Sequence, residues 1–120
     1  MVEELVDWGL TVDLLEVWQK NVSFFQEDPR KLFREIILGD VREVSAKASF
    51  IQMQWDLSIW WQGPEHIKKE QLSDAVHGLE EVSRHGVILA CPWGKNPQGQ
   101  AYGNPYERHE ASLYLSLIHI

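Results

Sequence analysis

Four short apolar runs, residues 10–16 (LTVDLLE), 33–39 (FREIILG), 55–61 (WDLSIWW) and 87–90 (VILA), alternate with segments of helical spacing. This order constrains the fold more than any other feature. Strands whose cores are apolar, rather than strictly alternating, are covered on both faces. Strands separated by helices pair in parallel through crossovers. The expected fold is α/β: a mostly parallel sheet with helices on both faces. A single domain over residues 1–120 is expected.

The helices are marked by spacing and punctuation. Val2, Leu5, Val6 and Trp8 share a helical face, and Gly9 follows as a C-terminal cap. Trp18, Val22 and Phe25 mark a second helix that stops before Pro29. Pro64 opens a long third helix with Leu72, Ala75, Val76, Leu79 and Val82 on its apolar face, and Gly86 ends it. Asp13 is awkward inside its strand. Residues 92–110 (PWGKNPQGQAYGNPYERHE) change character and read as a long lid-like loop carrying Trp93, Tyr102 and Tyr106.

Charge and cysteine usage exclude some classes. A net charge of −7 argues against nucleic acid or an anionic membrane as an obligatory partner, because both need a basic footprint. The bland meaning of that charge is solubility. Cys91 is the single cysteine, so no internal disulfide forms, and a reducing, cytoplasmic setting is expected. No apolar run is long enough to span a membrane.

In an open α/β sheet, ligands bind beyond the carboxyl ends of the strands. Glu16 closes the first run, Asp40 follows the second, Trp60–His66 closes the third, and Cys91–Trp93 follows the fourth. Each has a plain alternative. Glu16 is either a solvated strand end or a carboxylate that accepts hydrogen bonds from two ribose hydroxyls. Asp40 either caps a helix with Glu43 or contacts an adenine. Glu65 suits the positive end of a helix. His66 is a base, an orienting group or a structural histidine. Trp60 and Trp61 are core and rim packing or a stacking wall. Cys91, His66 and His109 do not show a metal-ligand spacing, and no metal is expected.

Four segments together resemble class I S-adenosylmethionine-dependent methyltransferases, of the group acting on small molecules. VDLLEVWQKNV resembles the second strand with its acidic end, and IILGDVREV the third strand with its Asp. WDLSIWWQGPEHI resembles the fourth strand leading into a Glu-His pair. LEEVSRHGVILACPWG resembles the following helix and fifth strand. The resemblance covers about residues 2 to 110. It implies S-adenosylmethionine as cofactor, with Glu16 on the ribose, Asp40 and Val41 at the adenine, and Trp60 beside the cofactor. It implies a small-molecule acceptor near Trp61, Glu65, Trp93, Tyr102, Tyr106 and His109, with His66 as catalytic base.

Two departures accompany the resemblance. The family's glycine-rich first loop has no counterpart, since only Gly9 precedes Gly39. MVEELVDWG looks like the second half of the family's first helix, so an amino-terminally truncated chain is expected, binding cofactor weakly or not at all. At the other end, ASLYLSLIHI stands where the family continues, and LSLIHI resembles a translated sequencing-adapter tail; the alternative is an ordinary edge strand. The rival functions are a complete, non-catalytic α/β interaction domain and a nucleotide-binding regulatory relative without catalysis.

Overall fold

The computed structural model describes residues 1–47, 50–91, 99 and 103–110. It is an α/β protein whose chain divides into two compact units, Met1–Asp40 and Val41–Ile120. Each contains one pair of parallel strands. Trp93, Tyr102 and the segment 111–120 lie outside the described residues, as does most of the expected lid. Among the described residues no helix is long and apolar enough to cross a membrane.

The first unit begins with α1 (Val2–Asp7). It ends as its sequence predicts: Gly9, at φ +86°, donates to Val6, and Leu10 donates to Leu5, at 2.9 and 3.1 Å. These two bonds are the Schellman closure, which needs a residue in the left-handed region and so favours glycine. β1 (Asp13–Glu16) is shorter than the apolar run that encodes it. Asp13 marks its first residue. Its Oδ1 accepts from Arg34 Nε at 3.0 Å and from the Glu35 amide at 3.1 Å. The awkward aspartate is therefore a clasp at the mouth of the ladder, tying β1 to the start of β2 (Glu35–Leu38).

α2 (Gln19–Glu27) crosses between these strands and packs on both, burying Val22. It stops at Asp28, whose extended backbone (φ −64°, ψ 120°) is the conformation imposed on a residue before proline. Phe25 meets Phe24 and Phe33 edge-on, each at a centroid separation of 5.4 Å. The register pairs Asp13 with Glu35 and Glu16 with Leu38, so both strands end together.

The second unit opens with a 3-10 helix, Val41–Ala46, which buries Val44. The 55–61 run is divided. Trp55 forms an isolated parallel bridge to Ser83, and β3 proper is Ser58–Trp61. It pairs with β4 (Val87–Ala90), whose bounds match the apolar run VILA. Along β3, Ser58 and Trp60 face the partly buried side, while Ile59 and Trp61 face outward. That is the two-residue alternation of a pleated strand.

The long helix expected from Pro64 forms in two pieces. Pro64–His66 is one 3-10 turn, and α3 (Lys69–Val82) starts three residues later. Ile67 and Lys68 between them are extended. The break turns Ile67 into the core with Leu72 and Ala75, where Val41, Trp60, Val76 and Cys91 pack around them. No serine, threonine, aspartate or asparagine precedes Lys69 to start the helix with a side-chain cap, so core burial sets the boundary. Gly78 lets α3 lie close to the 41–46 helix: a Cβ there would stand 3.2 Å from the Ser45 nitrogen. α3 ends at Val82, before Gly86; Ser83 donates its hydroxyl to the Leu79 carbonyl and pairs with Trp55.

Candidate functional site

The expected site residues fall on both units, and each unit presents its own group. In the first, parallel register and equal strand ends put Glu16 and Asp40 on the same, carboxyl-terminal edge of the β1–β2 pair. Glu16 is the last residue of β1, and Asp40 lies two residues beyond the end of β2. Glu16 is held in place. Its carbonyl accepts the Gly39 amide at 2.9 Å, and its Oε1 accepts the Trp18 amide at 3.0 Å. A carboxylate offers about four lone-pair sites, so one such bond leaves capacity for two hydroxyl donors.

The second group begins where β3 ends. Gly63 and Pro64 turn the chain into the 3-10 turn that carries Glu65 and His66. Gly63 is required by a close approach: a Cβ there would lie 1.8 Å from Trp60 Nε1 and 2.2 Å from Cδ1. The Trp60 indole covers this glycine and rests on the Ile67–Leu72–Ala75 cluster. Trp61, on the opposite face of β3, is 56% exposed. Val41 begins the 3-10 helix and packs against the same cluster. Tyr106 is exposed on the short 3-10 turn Pro105–Glu107, which Asn104 opens by accepting the Tyr106 amide at 2.9 Å.

The chain returns to Glu65 through residues 108–110. The Glu110 amide donates to the Glu65 carbonyl at 2.7 Å, and His66 Nδ1 lies 3.1 Å from the Arg108 carbonyl oxygen. These contacts bring His109 against His66, with ring centroids 4.9 Å apart in an edge-to-face arrangement. His66 Nε2 lies 3.6 Å from Glu65 Oε1. Sequence reasoning placed Glu65 as a first-turn acid suited to a helix end. It does stand in the first turn after Pro64, but it is buried there, 3% exposed, and among the described residues its Oε2 has no hydrogen-bond partner.

Glu65, His66 and His109 can each present one ligand atom with all three atoms within 4.8 Å of one another. Spacing did not reveal this set, because its third member is 43 residues after His66. The one sequence signal was the repeated pairing of acid and histidine, Glu65-His66 and His109-Glu110. Cys91 lies outside the set. Burial pushes its thiol pKa up, and the negative charge of Glu65 adds to that shift. No family model, curated protein or solved structure matches the chain.

Proposed function

We propose that the chain is methyltransferase-like: it holds the nucleoside part of S-adenosylmethionine at the β1–β2 edge, as part of a protein that methylates a small-molecule acceptor. The observation that carries this reading is the placement of Glu16 and Asp40 on one carboxyl edge of a parallel pair. Glu16 accepts from the two ribose hydroxyls, and Asp40 accepts from the adenine amine. The fold expected of the parent in this reading is doubly wound and Rossmann-like. The acceptor meets Trp61, Glu65, Tyr106 and His109, and His66 takes the acceptor proton. When bound, S-adenosylmethionine would supply an electrophilic methyl group and leave as S-adenosylhomocysteine, and the residues of the chain would mainly align the acceptor with it.

Residues 1–40 contain Gly9 and Gly39 and no glycine-rich loop, so little backbone approaches the methionine half of the cofactor. Binding is therefore expected to be weak, with a Kd above about 100 μM, or less than roughly 5.5 kcal/mol of binding free energy. Saturation-transfer NMR with S-adenosylhomocysteine measures contacts of this strength. Adenine and ribose protons should receive saturation, and Glu16→Ala should remove most of it. Equal transfer to parent and variant, or none to either at millimolar ligand, refutes the proposal.

A second reading has one observation in its favour. Ile59 and Ile88 oppose each other in register on the outer side of β3–β4, and both are exposed, with Trp61 beside them. Parallel pairs are ordinarily covered on both faces. A non-catalytic interaction domain would use this face for a protein, and substituting Ile59 and Ile88 by threonine would abolish that association while leaving the far-ultraviolet circular dichroism of the fold unchanged.

A further inference from the structure

We propose that Glu65, His66 and His109 form a binding site for a divalent transition-metal ion, with zinc the best match. This inference does not rest on the methyl-transfer reading, but it draws on the same three side chains: with Nε2 bound to an ion and Nδ1 protonated, His66 would no longer be free to take the acceptor proton.

The buried carboxylate makes the first argument. Glu65 is 3% exposed, and its Oε2 is enclosed with no hydrogen-bond partner among the described residues. Burying a carboxylate oxygen unpaired is expensive, and a natural fold compensates it with a donor, a water or an ion. A divalent cation held against the carboxylate would compensate the group as a whole, its Oε1 being the oxygen that faces His66 and its Oε2 the one left unpaired.

Ligand chemistry makes the second. Two imidazoles and one carboxylate are a recurrent set for zinc when an exchangeable position is kept open. Donor atoms at tetrahedral corners about 2.05 Å from zinc stand roughly 3.4 Å apart. Glu65 Oε1 and His66 Nε2 are already 3.6 Å apart. The full set lies within 4.8 Å, so closing on the ion requires side-chain movements of about an ångström.

The surroundings of His66 make the third. Nδ1 faces the Arg108 carbonyl at 3.1 Å, and a carbonyl oxygen only accepts, so the proton sits on Nδ1. Nε2 then carries the lone pair and points toward Glu65. A histidine that donates one ring N–H to a backbone carbonyl and offers the other nitrogen to the metal is the usual outer support of a zinc ligand. The same short segment supplies His109, so the bonds that dock residues 108–110 on the Glu65 turn also complete the ligand set. With three protein ligands, the ion keeps a coordination position for water or an oxygen of a small molecule.

Zinc competition against a chromophoric chelator, together with cobalt absorption spectra, tests the site on the full chain. One equivalent of zinc should bind with low-micromolar affinity or better, and cobalt should give the visible bands of a low-coordinate site. Glu65→Gln and His109→Gln should each weaken zinc by at least about 100-fold, since even outer-shell changes cost 10- to 100-fold. His77→Gln should leave binding unchanged; His77 sits on the surface beside Glu80 and Glu81 and is the obvious adventitious site.

Histidine-detected 15N spectra of the unmodified protein keep the test decisive even where a variant fails to fold. Zinc should shift Nε2 of His66 and a ring nitrogen of His109, with His66 Nδ1 still protonated. Absence of saturable binding, loss of binding on His77→Gln, or zinc shifts confined to His77 or His85 overturns the proposal.

Discussion

Replacing Gly63 by alanine tests how the candidate site is built. The added Cβ would stand 1.8 Å from Trp60 Nε1, 2.2 Å from Cδ1 and 2.9 Å from Cε2. Carbon atoms in favourable contact lie about 3.5–4.0 Å apart, so the overlap exceeds roughly 1.5 Å and cannot be absorbed by small adjustments. Either the indole leaves, or the β3 exit moves. A tryptophan buries about 150–250 Å² when fully enclosed. Trp60 is only partly buried against Ile67, Leu72 and Ala75, so about half that area is at stake. At about 25 cal/mol per Å², displacing it forfeits roughly 2–3 kcal/mol. Moving the backbone instead stores strain of about 1–3 kcal/mol. Both routes give a destabilisation near 2 kcal/mol.

The assay is urea unfolding followed by far-ultraviolet circular dichroism, with the Trp60 indole N–H resonance as a local reporter. Gly63→Ala should lower stability by about 2 kcal/mol and move that resonance. In a Trp60→Leu background the same change should cost under about 0.5 kcal/mol, because the clashing ring is gone. An equal cost in both backgrounds, or an unmoved indole resonance, refutes the close-approach argument.

Two pH-dependent outcomes follow from named neighbours. The Cys91 thiol is held above its ordinary pKa, first by burial and then by Glu65. A raised thiol pKa favours the folded chain below the ordinary thiol range, and this advantage is lost as pH rises through the shifted value. In metal-free buffer, iodoacetamide should therefore modify Cys91 with a midpoint above the ordinary thiol value; Glu65→Gln should lower that midpoint without restoring it fully, and no movement would refute the coupling. Asp28 is held below its ordinary pKa by its side-chain and backbone hydrogen bonds from Arg30. Its contribution is present above the unfolded carboxylate pKa and is lost as pH falls through the folded one. Asp28→Asn should thus lower the thermal midpoint at neutral pH and leave it nearly unchanged at pH about 2; equal losses at both pH values would refute the ion pair.

Much of the backbone plan is legible in local pattern. VILA gives β4 its bounds because a short, wholly apolar run bounded by Gly86 has few alternatives. Gly9 and Pro29 mark helix ends because each changes backbone freedom directly. Where tertiary burial decides, local pattern falls short. Pro64 predicts a helix start, but packing Ile67 into the core extends the chain there and delays α3 to Lys69. Asp13 looked misplaced until Arg34 and the Glu35 amide stood beside it.

The candidate site was legible in a similar, partial way. Strand ends pointed to Glu16, Asp40 and the Glu65–His66 pair. Burial of Glu65 and the return of His109 depend on backbone bonds across more than 40 residues, which no periodicity encodes. Trp60 and Trp61 are adjacent in sequence, and the pleat sends them to opposite faces.

The central functional claim is that Glu16 recognises a ribose diol at the β1–β2 edge. The most direct measurement compares adenosine with 2′,3′-dideoxyadenosine by NMR titration, in the parent and in Glu16→Ala. The account predicts that loss of the two hydroxyls weakens binding to the parent by about tenfold or more, as expected for hydrogen bonds to a charged acceptor worth about 1.5–3 kcal/mol. It predicts little discrimination by the variant, and amide shifts in the parent centred on Glu16, Gly39 and Asp40. Equal affinity of the parent for both nucleosides, or shifts away from that edge, would contradict it.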